Sequence, residues 1–343
     1  MKKSRQPKIV LRLALIVPLL TLILIFASLL SLSVGQGDVS VADVAKTLVS
    51  LARNDLPDPA SSVEQIVIGV RLPRVVLAII VGMLLAAAGV ALQGLLLNPL
   101  ADPYTVGVSS GAALGASVAV VLGGAGWAGG MGVPGVAFLT AIAAMLVVYS
   151  LARGRGKLSI HSFLLAGIVV GSFLWALLTF ILTLAGQDLA TIIYWLLGNL
   201  SSPDPWGYVR MVLPFFVFGL GVLLAFSRDL NVYASGEEGA RHLGIDTEAL
   251  KIIIIATTSL ITAAAVSVSG IIGFVGLVVP HIARRLFGSD HRLVLPASVL
   301  LGGTLLVLAD TVARTVVPSG ELPVGVVTAL IGAPFFCYLL KRG

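Results

Sequence analysis

Side chains able to perform catalysis or to bind a metal are few in this sequence and lie far apart. Four histidines fall in different segments, and none has a histidine or glutamate partner at the helical spacing of a zinc site: His161, His242, His281 and His291. A single cysteine, Cys337, leaves no intramolecular disulfide and no cysteine-based metal site. We therefore predict no catalytic residues and no cofactor or metal held by the chain, and we expect the histidines to cap helix ends.

A nucleotide-binding loop is also missing from the sequence. The nearest string to the phosphate-loop pattern G-x-x-x-x-G-K-[ST] is GRGKLS at 154–159, which has neither the spacing nor a Ser or Thr after the lysine. The chain is therefore not expected to hydrolyse ATP by itself. Asp310 is the carboxylate that falls clearly inside an apolar segment, and Arg314, four residues later on the same helix face, is its expected partner.

Three polar motifs stand at the ends of apolar segments. RLPR at 71–74 has two arginines three residues apart. Their side chains either bind a partner molecule or simply extend to the polar membrane interface. QGLLLNPLADP at 93–103 predicts a break in the chain at the inner surface. Segment 227–251, with GEEGARHLG at 236–244, predicts short amphipathic helices that could dock on a protein partner. A solvated surface loop explains its charge equally well.

The elements that carry these motifs are membrane helices. The 343 residues are 58% hydrophobic and 11% charged, with a mean hydropathy of +1.06, so we predict an all-α, polytopic membrane protein. Apolar segments long enough to span the hydrocarbon recur ten times. They cover about 9–33, 66–97, 104–123, 133–152, 160–185, 206–226, 250–269, 271–287, 293–315 and 322–340.

Charge predicts the orientation of these spans. Ten crossings place both termini on one side, and that side then holds sixteen of the 22 Lys and Arg residues, so we assign it to the cytoplasm. The first segment is longer than a signal-peptide core and lacks its cleavage pattern, which predicts a retained helix. We expect 35–65 to be an external loop and 191–200 a partial helix on the outer side. The chain, 1–343, is thus predicted as one transmembrane domain, in contact with lipid and not with nucleic acid.

Residues 269–285, SGIIGFVGLVVPHIARR, combine apolar, glycine and basic positions. We predict one helix here that stops at its proline, histidine and arginines. The glycines at 270, 273 and 276 would keep one face flat for close contact with a neighbouring helix. Arg284 and Arg285 would mark its cytoplasmic end.

Several strings together carry a family resemblance. They occur in one order from residue 71 to the C-terminus: RLPR (71–74), QGLLLNPLADP (93–103), GVSSGAALGA (107–116), LLAG (164–167), GEEGARHLG (236–244), GFVGLVVPHIARR (273–285), LAD (308–310) and ELPVGVVTALIGAPFF (321–336). The chain thereby resembles the FecCD family of ABC-importer permeases. This resemblance implies the type II importer architecture: a homodimer or pseudo-dimer of ten-helix units, two cytoplasmic ATPases that use ATP and Mg, and an extracytoplasmic substrate-binding protein, in the inner membrane of a prokaryote.

The resemblance also implies roles for individual residues. Six residues match the ATPase-coupling helices: Gly236, Glu237, Ala240, Arg241, Leu243 and Gly244. Three arginines, Arg71, Arg74 and Arg314, match basic pockets that receive glutamates of the binding protein. Four residues match the cytoplasmic gate: Asn98, Leu100, Ile160 and His161. Family members often carry small hydroxyl residues at the last two positions, so this chain departs from the family pattern there.

Three classes of function suit a polytopic membrane protein: an importer subunit, a transporter or channel that acts alone, and an intramembrane enzyme. The resemblance favours the membrane subunit of an ABC importer that moves a metal chelate, an iron-siderophore, haem or cobalamin, by ATP-driven alternating access. A secondary transporter or channel acting alone is disfavoured because coupling charges are scarce inside the membrane and the inner loop is large. An intramembrane enzyme lacks any nucleophile–base pair or metal site.

Overall fold

A computed structural model describes residues 6–35, 39–53, 61–154, 157–317 and 320–342. The described residues are helical apart from loops and a two-residue antiparallel ladder, β1 (Arg153–Gly154) with β2 (Lys157–Leu158). The helices are α1 (Gln6–Ser33), α2 (Val41–Ala52), α3 (Ser62–Glu64), α4 (Leu72–Leu95), α5 (Val108–Val121), α6 (Gly132–Ala152), α7 (Ile160–Leu184), α8 (Leu189–Leu196), α9 (Pro205–Ala225), α10 (Ser227–Tyr233), α11 (Glu237–His242), α12 (Thr247–Ser269), α13 (Val275–Phe287), α14 (His291–Thr315) and α15 (Val324–Arg342).

Each of the ten predicted spans contains one helix of this set: α1, α4, α5, α6, α7, α9, α12, α13, α14 and α15. In the part of the chain that the structure describes, seven are long and apolar enough to cross a membrane, and α5 and α15 are shorter apolar helices. The remaining helix, α13, has only 13 residues. The all-α class is confirmed. Of the basic residues assigned to the cytoplasmic side, Lys2, Lys3, Arg5 and Arg155 lie outside the described residues.

The prediction of one helix over 269–285 is wrong. α12 ends at Ser269, residues 270–274 are not helical, and α13 begins at Val275 and continues through Pro280 and both arginines to Phe287. Gly270 and Phe274 bound the break with φ angles of 65° and 68°, a region that favours glycine. The predicted spans 250–269 and 271–287 leave a break at residue 270 alone, whereas the structure extends the break through residue 274.

Two smaller differences concern the loops. The predicted external loop 35–65 contains α2, which begins with a capping box in which Ser40 and Asp43 each bond the other's backbone N–H; residues 36–38 and 54–60 of this loop lie outside the described residues. The predicted partial helix at 191–200 is α8, which covers 189–196. Of the inner segment 227–251, the last five residues are the first turn of α12.

Helix α4 forms the centre of the bundle. It is apolar all round, which is the pattern of a helix surrounded by others, and its most apolar stretch is 89% buried. α9, α12, α13 and α14 pack around it, while α5, α6 and α7 form a second group attached to α12. α1 packs on the outside of α14. α7, in contrast to α4, is mostly exposed: only 11% of its most apolar stretch is buried within the chain.

Glycine pairs allow α4 to touch two neighbours backbone to backbone. Gly82 lies on Gly302 of α14, and Gly89 lies on Gly276 of α13, so closely that a Cβ atom at either α4 position would overlap a main-chain carbonyl oxygen. Small residues serve this purpose in membrane bundles. The predicted role of the glycine at 276 in close helix contact is confirmed, whereas the glycines at 270 and 273 lie in the break before α13.

We predict that Gly89→Ala destabilises the protein by about 2–3 kcal/mol, because overpacking forces two backbones apart. The measurement is the midpoint of thermal unfolding in detergent. Gly221→Ala is the matched control, since it also lies within a helix and a Cβ there meets nothing within 4 Å. The control should be neutral or slightly stabilising. Equal midpoints for the two variants would contradict the close α4–α13 contact.

Candidate functional site

The three arginines predicted to dock a binding protein meet at one end of the bundle, where α4 begins and α14 ends. Arg74 and Arg314 both bind the carboxylate of Asp310, at 2.9 and 3.1 Å. Arg74 also binds Glu321, at 2.8 Å. Arg71 donates a hydrogen bond to the Leu32 carbonyl oxygen of α1. We call Arg71, Arg74, Asp310, Arg314 and Glu321 the arginine cluster.

The arginine cluster carries three formal positive and two negative charges. The predicted pair of Asp310 with Arg314 is confirmed, but Arg74 as a second partner of Asp310 and Glu321 as the fifth member of the cluster were missed. Glu321 begins the ELPV string, and nothing in its local spacing links it to Arg74. Asp310 is 1% exposed, so two cations stabilise one carboxylate out of contact with solvent.

A cleft of about 90 Å³ opens beside the arginine cluster. Arg71, Arg74, Arg314 and Glu321 line it together with two apolar residues of the preceding π-helical turn. The three arginines themselves are buried, so they face this cleft rather than project from the surface. Their docking role stays a prediction.

The predicted ATPase-coupling residues lie in a compact helical segment, α10–α11 with the turns around them. Gly236 and Gly244 bound α11 with φ angles of 103° and 86°, which a residue with a side chain rarely adopts. Leu243 is 71% exposed, whereas Ala240 is fully buried. Ala240 therefore supports this coupling segment from inside, and Leu243 is its apolar side chain on the surface.

Polar contacts anchor the coupling segment to the bundle at two points. Asn231 of α10 donates to Asp290 at 2.7 Å and accepts from the His291 backbone N–H at 2.8 Å, at the start of α14. The hydrogen bonds from the Arg292 side chain hold the pKa of Asp290 at about 2, below its usual range, so this anchor is charged at neutral pH. The second anchor joins Glu237 of α11 to Lys251 of α12, at 3.1 Å.

The four predicted gate residues lie in two places. Asn98 and Leu100 belong to the break after α4, where the Asn98 side chain accepts the Leu100 backbone N–H at 2.9 Å and Leu100 is exposed. Ile160 and His161 are the first two residues of α7 rather than a loop. Among the described residues, no hydrogen bond joins the two pairs. Asn98 and Leu100 lie in the predicted break, whereas Ile160 and His161, expected in the loop before the fifth span, begin its helix. The action of these four residues as a gate stays a prediction.

Comparison with known proteins now decides the family. The profile of the FecCD transport family matches residues 23–342. The chain belongs to this family. Like other FecCD proteins it is a multi-pass membrane permease of an ABC transporter.

Individual FecCD relatives cover most of the chain. It is 47% identical over 279 residues to the uncharacterized ABC transporter permease protein YvrB of Bacillus subtilis, which covers 81% of this chain and 79% of that protein. The cobalamin import system permease protein BtuC of Halobacterium salinarum is also 47% identical, over 81% of this chain and 74% of its own. A solved inward-facing ABC transporter assigned to the metal-chelate type matches with a TM-score of 0.83 at 30% identity, over 96% of this chain and 99% of that one.

One further contact in this FecCD chain was only partly visible in its sequence. The buried amide of Gln93, near the end of α4, donates to the carbonyl oxygens of Gly276 at 3.1 Å and Ala101 at 3.3 Å, and it accepts a hydrogen bond from Arg284. It therefore ties the break after α4 to both ends of α13. Gln93 opens the string 93–103 that predicts the chain break, but the sequence could not name its partners.

Proposed function

We propose that the chain is the membrane-spanning subunit of an ABC importer that carries a metal chelate, such as an iron-siderophore, haem or cobalamin, across the cytoplasmic membrane of a prokaryote. The observation that carries the proposal is the anchored coupling segment with its exposed Leu243, in a chain whose sequence has no phosphate loop. An apolar side chain held on a structured surface suits an external motor protein. Relatives named for cobalamin, Fe(3+)-citrate and hemin support the substrate class.

In the proposed mechanism, a partner ATPase binds ATP and Mg and moves the coupling segment. This movement alternately opens the cytoplasmic gate and the opposite end, where a substrate-binding protein docks on the arginine cluster and delivers the chelate. Both termini lie in the cytoplasm. The chain itself supplies the path and holds no cofactor.

A second copy of the chain would complete this path. α7 is long, apolar and little buried within the chain, so it needs either lipid or another protein on most of its surface. Beside it, a cavity of about 430 Å³ is lined by hydroxyl and aromatic side chains as well as glycines. They include Thr105, Ser110, Ser172, Tyr104 and Trp175. A polar wall of this kind suits a transport path better than a lipid contact.

Uptake into liposomes tests the proposal. Vesicles that contain the chain, its ATPase and ATP should accumulate chelate presented with the binding protein. Vesicles with the chain alone, or with an ATPase whose phosphate-loop lysine is replaced, should not. ATP-independent uptake by the chain alone would overturn the proposal in favour of a secondary transporter. Against that rival, Asp310 is already bound by two arginines and is not available to a coupling ion.

We predict that Arg71→Gln weakens docking of the binding protein, because Arg71 lines the cleft and is not bonded to the buried carboxylate of Asp310. We expect roughly a tenfold rise in dissociation constant at low salt and a smaller effect at high salt, since salt screens the attraction between charges on the two proteins. Surface plasmon resonance on the reconstituted permease measures this. Arg210→Gln, an exposed arginine on α9, is the control. Equal affinities for the two variants would remove Arg71 from the docking site.

A further inference from the structure

One lysine side chain is buried next to the coupling segment and has three partners on three different elements. Lys251, on the first turns of α12, is 3% exposed at its side chain. Its ammonium group donates to Glu248 at 2.7 Å, to the Leu158 carbonyl oxygen at 2.9 Å and to Glu237 at 3.1 Å. An ammonium has three donors, and all three are used.

These bonds connect the coupling segment to the start of α7. Glu237 is the first residue of α11, and Leu158 ends β2 directly before the residue that caps α7. Leu158 is held at both of its backbone groups, because Glu248 also accepts its N–H at 3.1 Å. Since Ser159 caps α7 through the Ser162 backbone N–H, a displacement of Leu158 moves the first turn of that helix.

The bond network also shows which link depends on Lys251 alone. Glu237 has two other donors, Arg241 at 3.1 Å and Thr247 at 3.4 Å, so α11 keeps its attachment to α12 without the lysine. Leu158 likewise keeps its N–H bond to Glu248. What disappears with Lys251 is the path from Glu237 to the Leu158 carbonyl. Charges held out of water by such bonds keep a fixed geometry, because separating them leaves a buried charge unpaired.

We propose that Lys251 is a positioning residue that transmits movement of the coupling segment to the cytoplasmic gate, by joining Glu237 of α11 to the Leu158 carbonyl at the base of α7. The inference rests on the proposed function, in which an ATPase moves the coupling segment. It assigns to one side chain the direct link between α11 and the residue that precedes the first turn of α7. Ile160 and His161, in that turn, have no hydrogen bond to α11 of their own among the described residues.

The first test follows the gate during the ATPase cycle. A single reporter cysteine is placed by Ser162→Cys, on the exposed first turn of α7, in a chain with Cys337→Ser. Its labelling rate by a membrane-impermeant maleimide is measured with and without ATP in the reconstituted transporter. We expect a nucleotide-dependent change with Lys251 present and none with Lys251→Met, while ATPase binding and ATP hydrolysis persist.

Arg210→Met is the control, because Arg210 is also paired with a carboxylate, Asp204 at 3.9 Å, but lies near the start of α9, and Asp204 belongs to neither anchor of the coupling segment. It should leave the nucleotide response intact. A nucleotide response in Lys251→Met equal to that of the unsubstituted chain would overturn the inference. A lost response in both variants would also overturn it, since the effect would then follow from any broken ion pair.

A second test needs no partner protein and separates failure of the link from failure of the proposed function. In the purified permease, hydrogen exchange of the amides in 158–163 is compared across Glu237→Gln, Lys251→Met and the double variant. Glu237→Gln should raise exchange roughly tenfold when Lys251 is present and change it little when Lys251 is absent. Equal effects in both backgrounds would overturn the link even if transport works. If the effect of Glu237→Gln on exchange depends on Lys251 but the chain shows no ATP-driven uptake, the link between α11 and Leu158 is retained and the importer function is rejected.

Discussion

Replacing Asp310 by alanine should lower the free energy of unfolding by about 3–5 kcal/mol, because it leaves two buried guanidinium groups without their shared carboxylate. Arg74 and Arg314 bind Asp310 at 2.9 and 3.1 Å, and all three side chains are less than 10% exposed. Arg74 retains Glu321, whereas Arg314 is left, among the described residues, with its hydrogen bonds to Ser31 of α1. The measurement is thermal unfolding in detergent.

Glu321→Gln serves as the control for this experiment. Its side chain is 33% exposed, and Arg74 keeps Asp310, so we expect a loss of about 1 kcal/mol or less. A double variant separates the cost of the unpaired arginine from the cost of losing the Asp310 side chain. Asp310→Leu combined with Arg314→Leu should be more stable than Asp310→Leu alone, because the second change removes the unpaired charge. A second change that destabilises further, or a loss no greater than that of Glu321→Gln, would show that the pairing is incidental.

The second large effect is expected at Leu243. Leu243→Asp should reduce ATP-driven uptake at least tenfold and weaken co-purification of the ATPase, since an apolar anchor buried at an interface commonly contributes about 2 kcal/mol or more. Leu243 is 71% exposed, so the change should not disturb the permease itself. Ala240→Asp is a less specific test, because Ala240 is buried and a carboxylate there would disrupt α11 directly.

Leu51→Asp is the matched control for Leu243. Leu51 is an exposed leucine of α2, in the predicted external loop, and should have no part in ATPase binding. Both variants should unfold at temperatures close to that of the unsubstituted chain. Normal uptake by Leu243→Asp, or an equal loss in Leu51→Asp, would assign the coupling segment to an ordinary surface loop.

The local hydropathy pattern of the sequence predicted most helices correctly but did not predict the length of the break between α12 and α13. Hydropathy over about 20 residues indicates a span because the hydrocarbon has a fixed thickness. It separated the spans 250–269 and 271–287 but could not give the length of the break between them, which covers residues 270–274. There the neighbouring backbone decides, since a Cβ at Gly270 would overlap the carbonyl oxygen of Trp195 in α8.

In the candidate sites, too, the sequence predicted individual residues but not the contacts between distant ones. Glu237 and Arg241 are predicted to contact an ATPase; the structure shows them paired at 3.1 Å with partly exposed side chains, and the docking itself stays a prediction. Their connection to Lys251, and through it to Leu158, spans 93 residues of sequence and has no local signal. Lys251 was counted only as a cytoplasmic basic residue. Its burial places it among the structural contacts of the coupling segment.

The sequence by itself determined the class of the protein, its ten apolar helices and its FecCD family, because hydropathy, charge at helix ends and short motifs are local properties. Only the tertiary structure decided which charges meet. Arg74 reaches Asp310 across 236 positions and Glu321 across 247. The physical reason is that a charge taken out of water must find an opposite charge wherever the packed helices place one.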